Sequence, residues 1–338
     1  MKRKHTFAYL LGVLFTIFGC VEEEQFADTA AGNVEALWKI MDEHYCFFDY
    51  KKQQLGVDWD DVHARYSAQA SQKLTNYQQF ELMKNMIGEL RDGHVNLMTA
   101  FDLGRNWSWK EDYPTNFSDT LQRKYLGTDY RISNGIYYRI LDDNIGYIYC
   151  GTFENDFGSG NLENIIYYLT TCNGLIVDVR NNSGGQLTAA ETLAERFINK
   201  ETLVGYMCHK TGKGHNDFSK PQEQILKPAL GMRWQKPVCV LTNRSVFSAA
   251  NEFVKYMRAA GIKTVGDQTG GGAGMPFSSE LPNGWAVRFS ACPMYDKNMV
   301  STEQGIAPDY PVAITDADFA KGKDTILEFA RQLLKKQQ

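Results

Sequence analysis

The sequence predicts an α/β protein that begins with a group of helices, and three patterns lead to this prediction. Apolar side chains recur every three or four residues between positions 33 and 91, which is typical of amphipathic helices. From position 136 to 265, short β-branched runs alternate with helical segments, as in a sheet covered by helices. Asp324 is predicted to cap a last amphipathic helix that reaches Leu334.

The N-terminal end of the sequence predicts export. Residues 2–4 are basic and residues 7–18 form an apolar run, which has the layout of a secretory signal and is too short for a permanent membrane span. A glycine followed by Cys20 resembles the lipobox of bacterial lipoproteins, in which cleavage before the cysteine accompanies lipidation. An ordinary signal peptide over residues 1–19 is the alternative interpretation. Both interpretations place the protein outside the cytoplasm, and the first anchors it to a membrane.

The composition limits the kinds of partner. Residues 20–32 are acidic and low in large apolar side chains, so they are predicted to form a lipidated, flexible tether. Loss of residues 1–19 would change the formal charge from −4 to −7, because they contain three basic residues and no acidic one. A net acidic chain argues against nucleic acid as a partner. The six cysteines after Cys20 form no metal-binding pattern, and no cofactor is predicted; buried thiols are expected, with a disulfide left open.

One stretch, residues 241–254, organises the rest of the prediction. Residues 237–242 are an apolar, β-branched run, and helix-forming residues follow from Ala249, so a strand turns sharply into a helix near Ser248. A hydroxyl at such a junction lies at the positive end of the helix, beside free backbone N–H groups that stabilise a developing oxyanion. Ser248 is therefore a candidate nucleophile. The alternative is that Ser248 or Ser245 only caps the helix.

A second candidate, His94, follows the predicted helices of residues 33–93. Gly93 is expected to end the last helix, and an alternating strand pattern begins after His94. A histidine on a turn between a helix and a strand is well placed to act as a general base, although many such histidines are structural. His209 and His215 are rival bases, but their neighbours predict an exposed loop.

Two glycine turns predict close backbone approach. A buried strand at residues 174–180 is followed by Gly184 and Gly185 and then by a helix over residues 187–199, which repeats the pattern around Ser248. This turn can present an N–H donor to a substrate. A second glycine run contains Gly271 and Gly272, and it predicts either a substrate contact or a solvent-exposed loop.

Five motifs, in this order along the chain, resemble those of the C-terminal processing and tricorn-core family of serine peptidases. They lie at residues 92–94, 175–185, 247–250, 265–267 and 305–309. The resemblance implies a crotonase-like α/β core over residues 94–338, joined to a helical bundle over residues 33–93. The interval between His94 and the hairpin predicted near residue 136 is too short for a PDZ domain.

The resemblance also implies roles for particular residues. Ser248, and not Ser245, matches the family's nucleophile. The lysine of the processing-peptidase branch has no counterpart, because its position is Gly272 and no lysine occurs between residues 263 and 297. In the tricorn-like branch a histidine is the base and a glutamate orients it, and these positions match His94 and Glu303. The contact of Glu303 with the imidazole is expected to be direct or through a hydroxyl.

The remaining implied roles concern the oxyanion and the substrate. Backbone N–H groups of Ala249 and of Gly184 or Gly185 are expected to form the oxyanion hole. Gly271 and Gly272 are expected to contact substrate, which would bind as an extended strand.

The sequence thus predicts an exported serine peptidase that cleaves peptides or unfolded proteins without a metal. The alternative is a catalytically inactive member of the family that binds peptide or lipid ligands. Because a binding protein needs no proton transfer, the joint presence of Ser248, His94 and Glu303 favours the enzyme. An acyl-CoA enzyme of the crotonase type fits an exported chain poorly.

Overall fold

A computed structural model describes residues 25–70 and 73–336. The predicted leader and Cys20 lie outside these residues, so export and lipidation remain predictions. No described helix combines the length and the apolar character needed to cross a membrane. The six described cysteines are buried and unpaired.

The predicted α/β class is confirmed, with helices at the N-terminal end and two β-sheets after them. The described helices are α1 (Ala30–His44), α2 (Phe48–Leu55), α3 (Trp59–Ala70), α4 (Asn76–Gly88), α5 (Ser108–Glu111), α6 (Asp119–Leu126), α7 (Ser159–Leu169), α8 (Leu187–Ala194), α9 (Ala249–Ala259), α10 (Asp316–Ala320) and α11 (Thr325–Lys335). The described strands are β1 (Asn96–Met98), β2 (Leu103–Arg105), β3 (Arg131–Ser133), β4 (Ile136–Ile140), β5 (Ile145–Cys150), β6 (Gly174–Asp178), β7 (Thr202–Met207), β8 (Gln222–Leu226), β9 (Val238–Thr242), β10 (Lys263–Gly266), β11 (Gly274–Glu280), β12 (Ala286–Tyr295) and β13 (Tyr310–Pro311).

The N-terminal helices start within the segment predicted to be a tether. Thr29 caps α1 by accepting a hydrogen bond from the N–H of Gly32, so the helix begins at Ala30 instead of after residue 32. Helix α4 begins with a capping box, in which Thr75 and Gln78 satisfy each other's backbone N–H groups. The helices share one apolar core with the antiparallel sheet, which contributes Val287 and Phe289.

That antiparallel sheet has the strand order β2-β1-β12-β7-β8, and β11 also pairs with β12. Strands β7, β8 and β11 were not predicted. Two short helices, α5 and α6, lie between the N-terminal helices and the hairpin of β4 and β5. The predicted helix over residues 187–199 ends at Ala194 and continues only as a 3-10 turn, Glu195–Phe197.

The second sheet has seven strands. The turn at Gly184 and Gly185 and the turn at Ser248 both follow the carboxyl ends of its parallel strands. Its order is β13-β10-β9-β6-β5-β4-β3, and β5, β6, β9 and β10 run parallel. Residues Leu175 and Val238 are register partners, so the neighbouring strands β6 and β9 end side by side. Ligands of such sheets bind at the carboxyl ends of parallel strands, which is the end of this sheet where Gly184 and Ser248 lie. Helices α7, α8 and α9 share a core with one face of the sheet, and α11 covers the other.

Candidate active site

Ser248 lies at the sharp junction between β9 and α9. Its backbone has φ 56° and ψ −125°, a conformation that glycine adopts readily and other residues adopt only under strain. The Ser248 N–H donates to the carbonyl of Gly271 at 2.8 Å, which fixes the strained residue. The Ser248 hydroxyl makes no capping hydrogen bond to the helix, so the interpretation of this serine as a cap is wrong.

The Ser248 hydroxyl instead contacts His94. The Oγ atom of Ser248 lies 2.9 Å from Nε2 of His94, although the two residues are 154 positions apart. His94 is only 2% exposed, and its ring packs against Phe247. The rival histidines lie elsewhere: His215 pairs with Asp42 at 2.7 Å, and the exposed His209 bonds through its backbone to Ser219. The structure thus joins the two side chains that the sequence singled out.

Asp92, to which the sequence analysis gave no role, holds the turn that carries His94. Its Oδ1 accepts a hydrogen bond from the His94 N–H at 2.7 Å, and its Oδ2 accepts from Tyr45 and Ser290 at 3.0 and 2.9 Å. All these groups are buried. The motif at residues 92–94 was the available signal, but the partners of Asp92 are 47 and 198 positions away and could not be inferred from it.

The expected contact between Glu303 and His94 is not formed, either directly or through a hydroxyl. Oε2 of Glu303 accepts from the N–H of Ala273 at 2.9 Å, and Oε1 lies 3.4 Å from Nζ of Lys51. These two donors engage the carboxylate and hold it away from the imidazole. Among the residues that the structure describes, Nδ1 of His94 has no hydrogen-bond partner.

Burial changes the pKa values of His94 and Glu303 in opposite directions. Burial lowers the pKa of His94 to about 4, against the opposing effect of the Asp92 charge. Arg288 and Lys51 add a smaller lowering of this pKa. Burial raises the pKa of Glu303 to about 8, and the nearby Asp92 charge adds to this effect while Lys51 opposes it. At neutral pH the imidazole is therefore neutral and able to accept a proton.

The two glycines after β6 have different roles. The N–H of Gly184 donates to Oδ1 of Asn182 at 2.9 Å, so it is not available to an oxyanion. A Cβ at Gly184 would lie 2.9 Å from Cβ of Ser248, which explains why a glycine stands there. Within the described ranges, the N–H groups of Gly185 and Ala249 donate to no protein acceptor. These two remain the candidates for the oxyanion hole.

Gly271 and Gly272 are buried and do not line the cleft beside Ser248, so their expected contact with substrate stays a prediction. A Cβ at Gly271 would lie 1.9 Å from the carbonyl oxygen of Glu303, and one at Gly272 would lie 2.5 Å from the Phe247 ring. Because Gly271 and Gly272 have no side chains, their segment packs directly against the segments of Glu303 and Phe247, behind Ser248. Their role is to position Ser248.

A cleft of about 280 Å³ opens beside Ser248 and His94. Its other walls come from the glycine turn and from the segment around α5, and they include Trp107, Trp109, Lys110, Glu154, Gly184, Gly185 and Arg288. Trp109 stacks on Phe247 with ring centres 4.1 Å apart. These two rings and Gly93 also line a neighbouring cleft of about 390 Å³. A larger cavity of about 450 Å³ lies around Arg258 and contains neither Ser248 nor His94, so size alone does not locate the chemistry.

Comparison with known families agrees with this geometry. Residues 144–312, half of the chain, match the model of peptidase family S41. The chain belongs to peptidase family S41. Residues 26–88 match the C1 domain of tricorn protease. The predicted resemblance to C-terminal processing and tricorn-core serine peptidases is thereby confirmed at the level of the family.

Three relatives of this S41 member illustrate the range of similarity. A candidate peptidase from Parabacteroides merdae has 49% sequence identity and a TM-score of 0.87, with 91% of this chain and 97% of that chain covered. Mature CPAF has 12% identity and a TM-score of 0.71 over 91% of this chain and 96% of its own, which shows a shared fold. The carboxy-terminal processing protease CtpA of Bacillus subtilis is 23% identical over 59% of this chain. The match spans 44% of the length of CtpA.

Proposed function

We propose that this S41 member is an exported serine peptidase that hydrolyses peptide bonds in peptides or unfolded proteins. Ser248 is the nucleophile and His94 the general base. The observation that carries the proposal is the 2.9 Å contact between Ser248 Oγ and His94 Nε2 beside an open cleft. A serine hydroxyl is a weak nucleophile at neutral pH, and a neutral imidazole at this distance supplies the base that it needs.

The reaction proceeds through an acyl-enzyme. His94 Nε2 takes the Ser248 proton while Oγ attacks the carbonyl carbon of the substrate. The tetrahedral intermediate collapses as the imidazolium gives its proton to the leaving nitrogen, and the peptide C–N bond breaks. Water then enters, His94 takes one of its protons, and the ester to Ser248 is hydrolysed. Each half-reaction returns His94 to the neutral state.

The oxyanion of each intermediate is stabilised by the N–H groups of Ala249 and Gly185. The N–H of Ala249 lies at the first turn of α9, where the helix dipole also favours negative charge. The N–H of Gly185 lies on the opposite side of its backbone from Phe153, with which the Gly185 segment pairs as parallel strands. Loss of one such donor raises the barrier by about 3 kcal/mol in serine peptidases.

Asp92 orients the base in this proposal, and Glu303 does not. Asp92 fixes the backbone of His94, whereas the Glu303 carboxylate fixes the glycine run through the N–H of Ala273. Gly271 in that run accepts the hydrogen bond that holds Ser248. Asp92 and Glu303 are thus positioning residues, one for the base and one for the nucleophile.

The site favours flexible substrates. Trp107, Trp109 and the glycine turn enclose the cleft beside Ser248, so a peptide bond must leave the surface of a folded domain to reach the hydroxyl. An extended chain meets this requirement without further unfolding. Free peptides and unfolded segments are the substrates that we propose.

Hydrolysis of a reduced, unfolded protein by the purified chain, with cleavage sites read by mass spectrometry, tests this proposal. We expect products from the wild type and from Ser245→Ala, and none above background from Ser248→Ala. Cleavage by folded Ser248→Ala at the wild-type rate would refute the role of Ser248. Retained binding of a peptide without any hydrolysis by the wild type would favour the alternative, a ligand-binding member of the family.

We also propose that cleavage before Cys20 and its lipidation anchor the protein to a bacterial membrane, facing the periplasm or the outside of the cell. The support is the basic and apolar leader followed by a glycine and Cys20. Mass spectrometry of the mature N terminus, with Cys20→Ser as the control, tests this part separately. A mature chain that starts at any other residue would overturn it.

A further inference from the structure

Two cationic side chains line the cleft beside Ser248 and take no part in the reaction proposed above. They are Arg288 on β12 and Lys110 in α5, and the acidic residue that lines the same cleft is the exposed Glu154. Over the described ranges, neither cation forms an ion pair with a carboxylate. Most of the other cations near the site are paired or hydrogen-bonded, as Lys51 is to Glu303 and Arg244 to the carbonyl of Trp109.

Arg288 is held close to the reacting groups. It lies opposite Asn96 in the pairing of β12 with β1, and Asn96 follows His94 by two residues. The positive charge of Arg288 contributes to the low pKa of His94, which also indicates proximity. Asp92 attracts Arg288, but the carboxylate of Asp92 is already bonded to Tyr45, Ser290 and the His94 N–H. The guanidinium is half-buried, and none of the residues described by the structure accepts a hydrogen bond from it.

Lys110 is placed by aromatic rings instead of by an acid. Its Nζ atom lies 4.5 Å from the centre of the Trp107 ring and 5.4 Å from that of Trp109. Trp109 is itself fixed by its stack on Phe247 and by the hydrogen bond from Arg244 to its carbonyl. Contacts of a cation with ring faces hold the ammonium at the cleft wall and leave its N–H donors free.

We propose that Arg288 determines the specificity of the cleft and, together with Lys110, binds a carboxylate of the substrate close to the scissile bond. This inference rests on the peptidase function proposed above. A half-buried guanidinium has lost part of its hydration, and its planar fork of N–H donors matches both oxygens of a carboxylate. The carboxylate is the free C-terminal group of a peptide or the side chain of an aspartate or glutamate.

Matched synthetic peptides test the proposal and separate these two sources. One pair has the same sequence with a free or an amidated C terminus, and a second pair carries aspartate or asparagine beside the cleaved bond. We expect the wild type to prefer the carboxylate form of at least one pair. Arg288→Gln is expected to lower kcat/KM for that form by about 10- to 100-fold, mainly through KM, because charge-assisted hydrogen bonds are lost. The neutral form should change by less than about 3-fold, a difference within the effect of an ordinary surface substitution.

Two controls make the result decisive. Arg131→Gln removes an exposed arginine that stacks on Tyr168 away from the cleft, and it should leave the preference for carboxylates intact. Arg288→Lys should restore part of the preference, because the charge remains without the fork. Labelling of Ser248 by a fluorophosphonate should proceed in Arg288→Gln, which shows that the variant is folded and that its serine is activated.

The results of these experiments can separate a failure of the role of Arg288 from a failure of the peptidase function. Equal losses on the charged and neutral peptides, with labelling of Ser248 intact, would overturn the role of Arg288 alone. So would a wild type that cleaves both members of each pair equally well. A wild type that neither labels nor hydrolyses any peptide would instead overturn the peptidase function on which the inference rests.

Discussion

The carboxylate of Asp92 accepts a hydrogen bond of 2.7 Å from the backbone N–H of His94, two residues further along the chain. The same carboxylate accepts from two buried hydroxyls, those of Tyr45 and Ser290. Tyr45 comes from the end of α1 and Ser290 from β12, so Asp92 ties the helices, the sheet and the base together. Asp92 thereby fixes the backbone that carries the imidazole, while Phe247 packs against its ring.

Asp92→Asn should impair both stability and catalysis. The side-chain oxygen of the new asparagine can still accept the hydrogen bond from the His94 N–H. Its NH2 group, however, takes the place of the carboxylate oxygen that accepted from the hydroxyls of Tyr45 and Ser290. We expect a loss of about 1–3 kcal/mol in the free energy of unfolding and a fall in kcat of about 10- to 100-fold as the base loosens. Denaturant unfolding and peptide hydrolysis measure the two effects.

A change in the pH profile distinguishes positioning from general damage to the fold. The Asp92 charge raises the pKa of His94, so Asp92→Asn should move the acidic limb of kcat/KM to lower pH. Asp142→Asn, at a fully exposed site, is the matched control and should change neither rate nor profile. An acidic limb that stays in place in Asp92→Asn would contradict this electrostatic coupling.

The wild-type enzyme should keep its activity in mild acid. The base must be neutral to accept a proton, and burial lowers the pKa of His94 to about 4. The value of kcat/KM should therefore fall only as pH drops through about 4, and not through the usual histidine value of about 6.5. A limb near the usual value, in the wild type at constant ionic strength, would show that the imidazole is not buried in the working enzyme.

The same pKa shift has a consequence for stability. Because the pKa of His94 is lower in the folded chain, the unfolded chain binds a proton first as pH falls below about 6.5. The stabilising contribution of the neutral imidazole is complete above that pH and is lost progressively toward about 4. The free energy of unfolding of the wild type, taken relative to that of His94→Gln, should fall as pH drops from about 6.5 to about 4. A difference independent of pH would contradict the assignment.

Glu303→Gln tests whether this glutamate belongs to the catalytic set. Loss of a carboxylate that orients a catalytic histidine costs about 10⁴ in kcat, but Glu303 makes no contact with His94. We expect kcat of the folded variant to fall by less than about 10-fold. A loss approaching 10⁴ would restore the triad role that the sequence predicted.

The main effect of Glu303→Gln should be on stability. Above pH of about 8, where the Glu303 carboxyl is ionised, the change leaves the buried ammonium of Lys51 without its partner, which costs about 3–5 kcal/mol in comparable buried pairs. Adding Lys51→Met should recover part of that loss, because no uncompensated charge remains. Thermal or denaturant unfolding of the two single variants and the double variant measures the coupling. Additive effects would show that the pair does not interact.

Gly184→Ala should abolish activity through contact with the nucleophile. The added methyl would lie 2.9 Å from Cβ of Ser248 and 2.7 Å from the carbonyl oxygen of Phe247, at a φ of 102°. Gly135→Ala is the control for backbone strain alone, because it has φ 81° and no atom within 4 Å of the new methyl. We expect normal kcat/KM from folded Gly135→Ala, and activity in Gly184→Ala would contradict the packing described.

The sequence predicted those parts of the molecule that depend on local pattern. The parallel strands around Ser248 and Gly184 were recognised from apolar runs and turns, and their adjacency follows from parallel pairing. Ser248 and His94 were singled out by the turns on which they lie, and the resemblance to a known family then selected Ser248 over Ser245. Helix α1 was placed within a few residues, since its apolar period is strong.

Contacts between residues that lie far apart in the sequence could not be predicted from local patterns. The choice of Lys51 and Ala273 over His94 as partners of Glu303 depends on how α2 packs on the core, 252 positions away in the case of Lys51. The segment around α5 has no apolar period, so the position of Trp109 over Phe247 was equally hidden. The role of Gly271 depends on its close packing against the backbone of Glu303 and Gly305, which a local turn pattern cannot predict.

Labelling with a fluorophosphonate, followed by mass spectrometry of the modified peptide, reports directly on whether Ser248 is an activated nucleophile. We expect a single adduct on Ser248 of the wild type, no adduct in Ser248→Ala, and unchanged labelling in Ser245→Ala. Labelling of His94→Ala should be slower by about 10²–10⁴-fold, because the base is gone. Absence of labelling in folded wild type, or an adduct on another serine, would contradict the assignment of Ser248 and His94.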